Sequence, residues 1–135
     1  MPALPTNAAF RDALQSMTVT GVTTHYDYPP ESLGELPAAF CSMPTATLGD
    51  YLVSCTNEDK TRSMIYVICV EASAQDTNLT NYEALATLMD NLETALDTAL
   101  ATLANFYTYE MTTGAYAVSG IEYWAIVTTI SVRSA

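Results

Sequence analysis

The segment Met64-Ile65-Tyr66-Val67-Ile68-Cys69-Val70 is apolar at both alternating sets of positions. A strand with one wet face alternates apolar with polar residues, so this run predicts a strand in the middle of a sheet, covered on both sides. One side needs a helix, and the other needs a different element. Few architectures satisfy both demands in a single short chain.

A helix of the right kind follows. Thr80-Asn81-Tyr82-Glu83 fits a capping box, with the threonine hydroxyl accepting from the first turn and the glutamate reaching back. Beyond it Leu85, Leu88, Met89, Leu92, Ala95, Leu96, Ala99, Leu100 and Leu103 form one apolar stripe. The stripe predicts a helix over about 81–104, roughly 36 Å long at 1.5 Å per residue. Its opposite face carries Glu83, Asp90, Glu93 and Asp97 with no basic residue. Like charges one turn apart cost a few tenths of a kcal/mol per pair. Such a face is either simply solvated or a surface that repels anions and meets basic partners.

The remaining segments are shorter. Asn7 to Gln15 has Ala8, Phe10, Ala13 and Leu14 at helical spacing, with Thr6 or Asn7 available as cap. Val19, Val22, Thr24 and Tyr26 predict a strand running from Thr18 toward Tyr28, interrupted at Gly21. Pro29-Pro30-Glu31-Ser32-Leu33-Gly34-Glu35-Leu36-Pro37 is an extended loop, because its three prolines lack donors for a ladder. Its Leu33 and Leu36 still have to pack somewhere. Ala38 to Met43 is a short strand, followed by a turn region around Pro44. Tyr51–Cys55 and Ser63–Glu71 flank the polar Asn57-Glu58-Asp59-Lys60, which reads as a hairpin. After the long helix, Asn105–Met111 and Ala115–Val118 are short strands punctuated by Gly114 and Gly120. Ile121 to Val132 is a long strand with Trp124, Ile126, Thr128, Ile130 and Val132 on one face and Tyr123, Ala125, Val127 and Thr129 on the other. The fold class expected is α+β: a mixed or antiparallel β-sheet with one long helix and a short N-terminal helix packed on one face. All 135 residues are expected to form one domain.

Charge narrows the function. Fifteen acidic residues stand against Arg11, Lys60, Arg62 and Arg133, a formal net charge of −11. Neutralising phosphates takes clustered cations, so nucleic-acid binding and anionic membranes are excluded as simple targets. No apolar run reaches the ~20 residues of a membrane span. The N-terminus has no basic region leading an apolar one, so no signal peptide is expected and the chain should fold in a cytosol. Asn78-Leu79-Thr80, a glycosylation sequon, is then a chance match.

Catalytic chemistry is sparse. Cys41, Cys55 and Cys69 fit no zinc pattern and read as buried thiols in strands, with one disulfide pair as the alternative. His25 is the single histidine, with no nucleophile motif beside it. Asn57-Glu58-Asp59-Lys60 lacks the alternation of an EF-hand, and the five glycines are isolated, so no phosphate loop or dinucleotide fingerprint exists. No metal, cofactor or catalytic residue is expected, and the chain reads as a non-enzyme.

The order of elements resembles a known family. A short N-terminal helix precedes Thr24-His25-Tyr26-Asp27-Tyr28-Pro29-Pro30-Glu31-Ser32-Leu33. Then come a short strand after Leu36-Pro37-Ala38, a hairpin, one long helix and a terminal Trp124-Ala125-Ile126-Val127 strand. This arrangement resembles the tail terminator, or tail-completion, proteins of long-tailed bacteriophages, including the lambda-type terminator. The resemblance spans nearly the whole chain and rests on order and flavour, with no invariant motif. It implies a virion protein assembled in the host cytoplasm as a homo-oligomeric, hexameric ring. Such a ring caps the tail tube protein, ends tail growth and offers a docking surface for the head-closure or connector protein.

On chemistry, Tyr28, Pro29, Pro30, Glu31, Leu33 and Leu36 are the expected contact loop to a neighbouring subunit. Asp90, Glu93 and Asp97 are the expected acidic face, lining the lumen so that DNA slides through without specific binding. Another phage neck or tail component is the alternative. A small enzyme or binding module of unrelated origin remains a third reading.

Overall fold

A computed structural model describes residues 5–27, 29–42, 45–48, 60–72, 78–103 and 106–133. The elements in chain order are α1 (Asn7–Gln15), β1 (Thr24–His25), β2 (Ala38–Cys41), β3 (Thr45–Leu48), β4 (Lys60–Ala72), α2 (Asn78–Ala101), β5 (Phe106–Val118) and β6 (Ile121–Arg133). The strands form one mixed sheet in the order β1-β2-β4-β6-β5, with β3 also paired to β4. Among the described residues only β1 and β2 run parallel; the other pairs are antiparallel. The fold is therefore α+β.

The apolar run Met64–Val70 lies in β4, between β2 and β3 on one edge and β6 on the other. One side of β4 and β6 presents Met64, Tyr66, Ile68, Ile126, Ile130 and Val132 to both helices. There α2 contributes Leu88, Leu92, Leu96 and Leu100, and α1 contributes Phe10 and Leu14. Two helices of the right apolar faces thus remove this side from water, the main favourable term in folding. Thr6 caps α1, its hydroxyl accepting from the Ala9 N–H at 3.1 Å. Arg62 on β4 ties that end down, donating from Nε to the Pro5 carbonyl at 2.7 Å and from its guanidinium to Asn7 Oδ1 at 3.0 Å.

The opposite side of the sheet carries a second, smaller cluster of Phe40, Val67, Cys69, Val118, Tyr123 and Ala125. Its cover is the proline loop, through Tyr26, Leu33 and Leu36. Among the described residues the covering stops partway along β4: Ile65 is 41% exposed, and Thr129 across from it is exposed as well. One face is thus roofed along β4 and β6 among the described residues, and the other only partway.

Several boundaries differ from expectation. The strand expected from Thr18 shrinks to Thr24–His25, because residues 19–22 close a turn with Val22 N–H on the Val19 carbonyl and Gly21 at φ +98°. The long helix begins at Asn78 and ends at Ala101, about three residues before the expected limits. Thr80 is thus already inside the helix, so the expected capping box does not cap it. At the other end Leu103 N–H reaches the Leu100 carbonyl, a tightened last turn. Thr45–Leu48, read as part of a turn region, is a strand pairing with residues 60–63 of β4. The expected hairpin partner Tyr51–Cys55 lies outside the described residues. The two short strands expected around Gly114 are one thirteen-residue strand, since Gly114 keeps ordinary strand geometry and pairs with Ala125. Gly120, with Ser119, makes the two-residue turn into β6, both at positive φ.

Tyr66 and Thr128 face each other across β4 and β6, both 0% exposed, and neither hydroxyl has a hydrogen-bond partner. An unpaired buried hydroxyl carries a desolvation cost of about 1–3 kcal/mol. Tyr66→Phe removes one such group while keeping the ring. The expected outcome is a gain of about 1 kcal/mol in urea unfolding; a loss of that size would mean that the hydroxyl is satisfied in solution.

Candidate functional site

Cys41 and Cys69 are buried, free thiols, on opposite sides of the sheet, while Cys55 lies outside the described residues. Burial raises the pKa of Cys41 and pushes that of Cys69 up to about 11, so both remain protonated and unreactive at neutral pH. His25 lies at the end of β1, its ring 5.7 Å from that of Tyr66, and its Nε2 is buried without a partner. Burial lowers its pKa, and the nearby Asp27 carboxylate opposes that shift only in part.

A lowered folded-state pKa means that the unfolded chain takes up its proton first as pH falls. Stability linked to His25 is therefore intact above its ordinary pKa near 6.5 and declines as pH drops below it. His25→Gln is expected to flatten the pH dependence of unfolding free energy between pH 7 and 5.5. Parallel slopes for the two proteins would show that His25 is not the titrating group.

Among the described residues no three His, Cys, Asp or Glu side chains come together as a metal site. A groove of about 550 Å³ runs between the end of α1 and one flank of α2. Its lining is alanine, serine, threonine, asparagine and methionine, with no acid or base. The hydroxyls of Thr94 and Thr98 are turned back on carbonyls one turn earlier in α2, and Asn91 Nδ2 holds the Thr20 carbonyl at 2.8 Å. The groove thus offers packing space rather than convergent chemistry.

The residues expected to matter occupy two surfaces. Tyr28 lies outside the described residues. Pro29 and Glu31 are exposed and Pro30 is half-buried, whereas Leu33 and Leu36 turn inward onto the second cluster. The loop is held at three points. Gln15 Nε2 donates to the Asp27 carbonyl, the Tyr26 hydroxyl accepts from the Gly34 N–H at 2.9 Å, and Ser119 Oγ donates to the Glu31 carbonyl. Its apolar side chains therefore cover the chain's own sheet, and what it presents outward is Pro29, Glu31, Ser32 and Glu35.

Asp90, Glu93 and Asp97 are all exposed and share one flank of α2. That flank lies beside β5, where the Tyr107 and Tyr109 hydroxyls donate to Asp97 Oδ1 at 3.4 and 3.2 Å. The two rings are stacked, with centroids 6.4 Å apart and planes 10° off parallel. Desolvation and the Asp97 carboxylate raise both phenol pKa values, so both remain donors. Sequence reasoning missed the tyrosine pair. The i, i+2 spacing of Tyr107 and Tyr109 was the available signal, since in an unbroken strand it puts both rings on one side.

The two surfaces differ in chemistry: one is rigid and mixed, the other acidic and aromatic. No protein-family model matches the chain, and no curated protein matches it. Among the described residues no helix is long and apolar enough to cross a membrane.

Proposed function

We propose that this chain is a non-enzymatic virion component of the tail-terminator type, forming a homo-hexameric ring on the tail tube and offering its far side to the head-closure or connector protein. The observation that carries the reading is the half-roofed sheet. The open half of the second face has Ile65 exposed beside Val127, surrounded by the hydroxyls of Ser63, Ser131, Thr129 and Thr112. Apart from the Glu110 carboxylate opposite Thr129, this is a flat surface of short uncharged side chains with an exposed isoleucine, poor as a ligand pocket and suited to burial against a neighbouring protein. The outward residues of the clamped loop, Pro29 and Glu31, are pre-ordered and lose little entropy on contact.

In this reading the acidic flank of α2, Asp90 and Glu93 foremost, lines the lumen and keeps DNA from adhering. The test combines binding and charge reversal. Incubated with isolated cognate tail tubes, the protein is expected to cap one end as a ring with the mass of six protomers. Asp90→Lys with Glu93→Lys should leave capping intact and slow DNA ejection. Failure to bind tube ends overturns the terminator assignment. Binding to the head neck instead favours another neck component, and normal ejection by the charge-reversed phage removes the lumenal role of α2.

A further inference from the structure

Strand β5 closes the sheet on one side, and among the described residues nothing pairs with its outer edge. It is thirteen residues long, contains neither proline nor lysine, and carries one charge, Glu110. Natural sheets guard such edges with short strands, prolines or lysines, because an open ladder recruits another strand. This edge has none of those guards. We propose that it pairs antiparallel with β5 of a second copy of this chain, joining two sheets into one across a two-fold axis at Thr112.

The strand's own sequence supports that occupant. The two-residue turn makes Val118 and Ile121 a hydrogen-bonded pair, so even-numbered residues of β5 bond to β6 and odd-numbered ones, 107 to 117, direct N–H and C=O outward. A two-fold axis at Thr112, the midpoint of 106–118, sets odd residues opposite odd ones along the full length. That register satisfies about twelve outward backbone bonds. It also matches large with small: Tyr107 meets Ala117, Tyr109 meets Ala115, Met111 meets Thr113, and Glu110 meets Gly114. No bulky pair collides, and the only charge never faces its twin.

The net charge of −11 opposes self-association in general, but this geometry keeps the two Asp97 carboxylates apart. Asp97 lies beside Tyr107 and Tyr109, which in the paired strands adjoin the partner's opposite end. Along the strand axis the two Asp97 groups are about 20–34 Å apart at 3.4 Å per residue. Screening at physiological salt acts over about 8 Å, so their repulsion is small. A two-fold contact closes after two copies, so the inference concerns the free chain and is independent of a ring on a tube end, which needs head-to-tail contacts.

Sedimentation equilibrium of the free protein is expected to give twice the chain mass of 14.6 kDa. With Cys55→Ser to leave only buried native thiols, Thr112→Cys is expected to form a disulfide-linked dimer on mild oxidation. Residues facing each other at a non-hydrogen-bonded position are about 4.5 Å apart at Cα, within disulfide range. Glu110→Cys, placed about 14 Å from its twin, should not cross-link. Thr113→Pro removes an outward N–H without touching the β5–β6 ladder and should raise the dimer Kd about tenfold or more, with the circular dichroism unchanged. A monomer at all concentrations overturns the proposal. So does an oligomer in which position 112 cross-links no faster than position 110.

Discussion

Leu96→Ala is expected to destabilise the protein by about 3 kcal/mol, the middle of the range for a fully buried leucine. For a domain of this size that lowers the melting temperature by roughly 10 °C. Leu96 is 0% exposed and belongs to the row Leu88, Leu92, Leu96 and Leu100, through which α2 covers Met64, Ile126 and Ile130. The sheet beneath is a stiff surface, so collapse around the missing atoms is limited and a cavity remains. Glu93→Ala, one turn away on the exposed flank, should change stability by less than ~0.5 kcal/mol. Urea unfolding of both variants checks the pair. A loss below 1 kcal/mol for Leu96→Ala would mean that α2 is not seated as described.

The second large effect is expected at Gly21. Its φ of +98° is unfavourable for any residue with a Cβ, and an added Cβ would sit 2.9 Å from Leu88 Cδ2. Gly21→Ala therefore combines backbone strain of about 1–2 kcal/mol with displacement of a core leucine at about 1 kcal/mol more. Gly120 separates the two contributions. Its φ is +82°, but nothing lies within 4 Å of where a Cβ would go, so Gly120→Ala should show the backbone part alone. Equal losses at the two glycines would remove the steric part of the argument. The comparison also tests the turn at 19–22, which lets Asn91 hold the Thr20 carbonyl and pins the start of β1 against α2.

These effects trace how far the chain could be read in advance. The two faces of β6 are as the alternation from Tyr123 to Val132 implies, and α1 spans the residues with helical spacing. Both are local patterns, in which each residue's neighbours along the chain decide its environment. The misjudged segments are those where a single residue type was given too much meaning. Gly114 resembles punctuation, yet a glycine keeps its backbone N–H and C=O, and paired with Ala125 of β6 it continues the ladder. Thr80 looked like a cap, yet the helix starts at Asn78, and capping residues are tolerated inside a helix that packs well.

For the contact surfaces the division is similar. The proline loop was legible because proline fixes its own backbone, and Leu33 and Leu36 had to find a core; that they find their own sheet depends on long-range packing. The acidic flank of α2 follows from helical periodicity. Its junction with Tyr107 and Tyr109 does not, since it depends on where β5 lies beside α2.

The latch between Ser119 and Glu31 spans 88 residues of sequence, whereas the β5–β6 hairpin that carries Ser119 closes over two. Contacts between neighbours in sequence form at small entropic cost, and those between distant segments must await them. The hairpin is thus an early organiser of folding, and the loop can settle only once the tip exists to receive it. The same order in reverse governs opening. The loop can lift from the second face while the helices hold the first, giving its amides faster hydrogen exchange than those of β4 and β6.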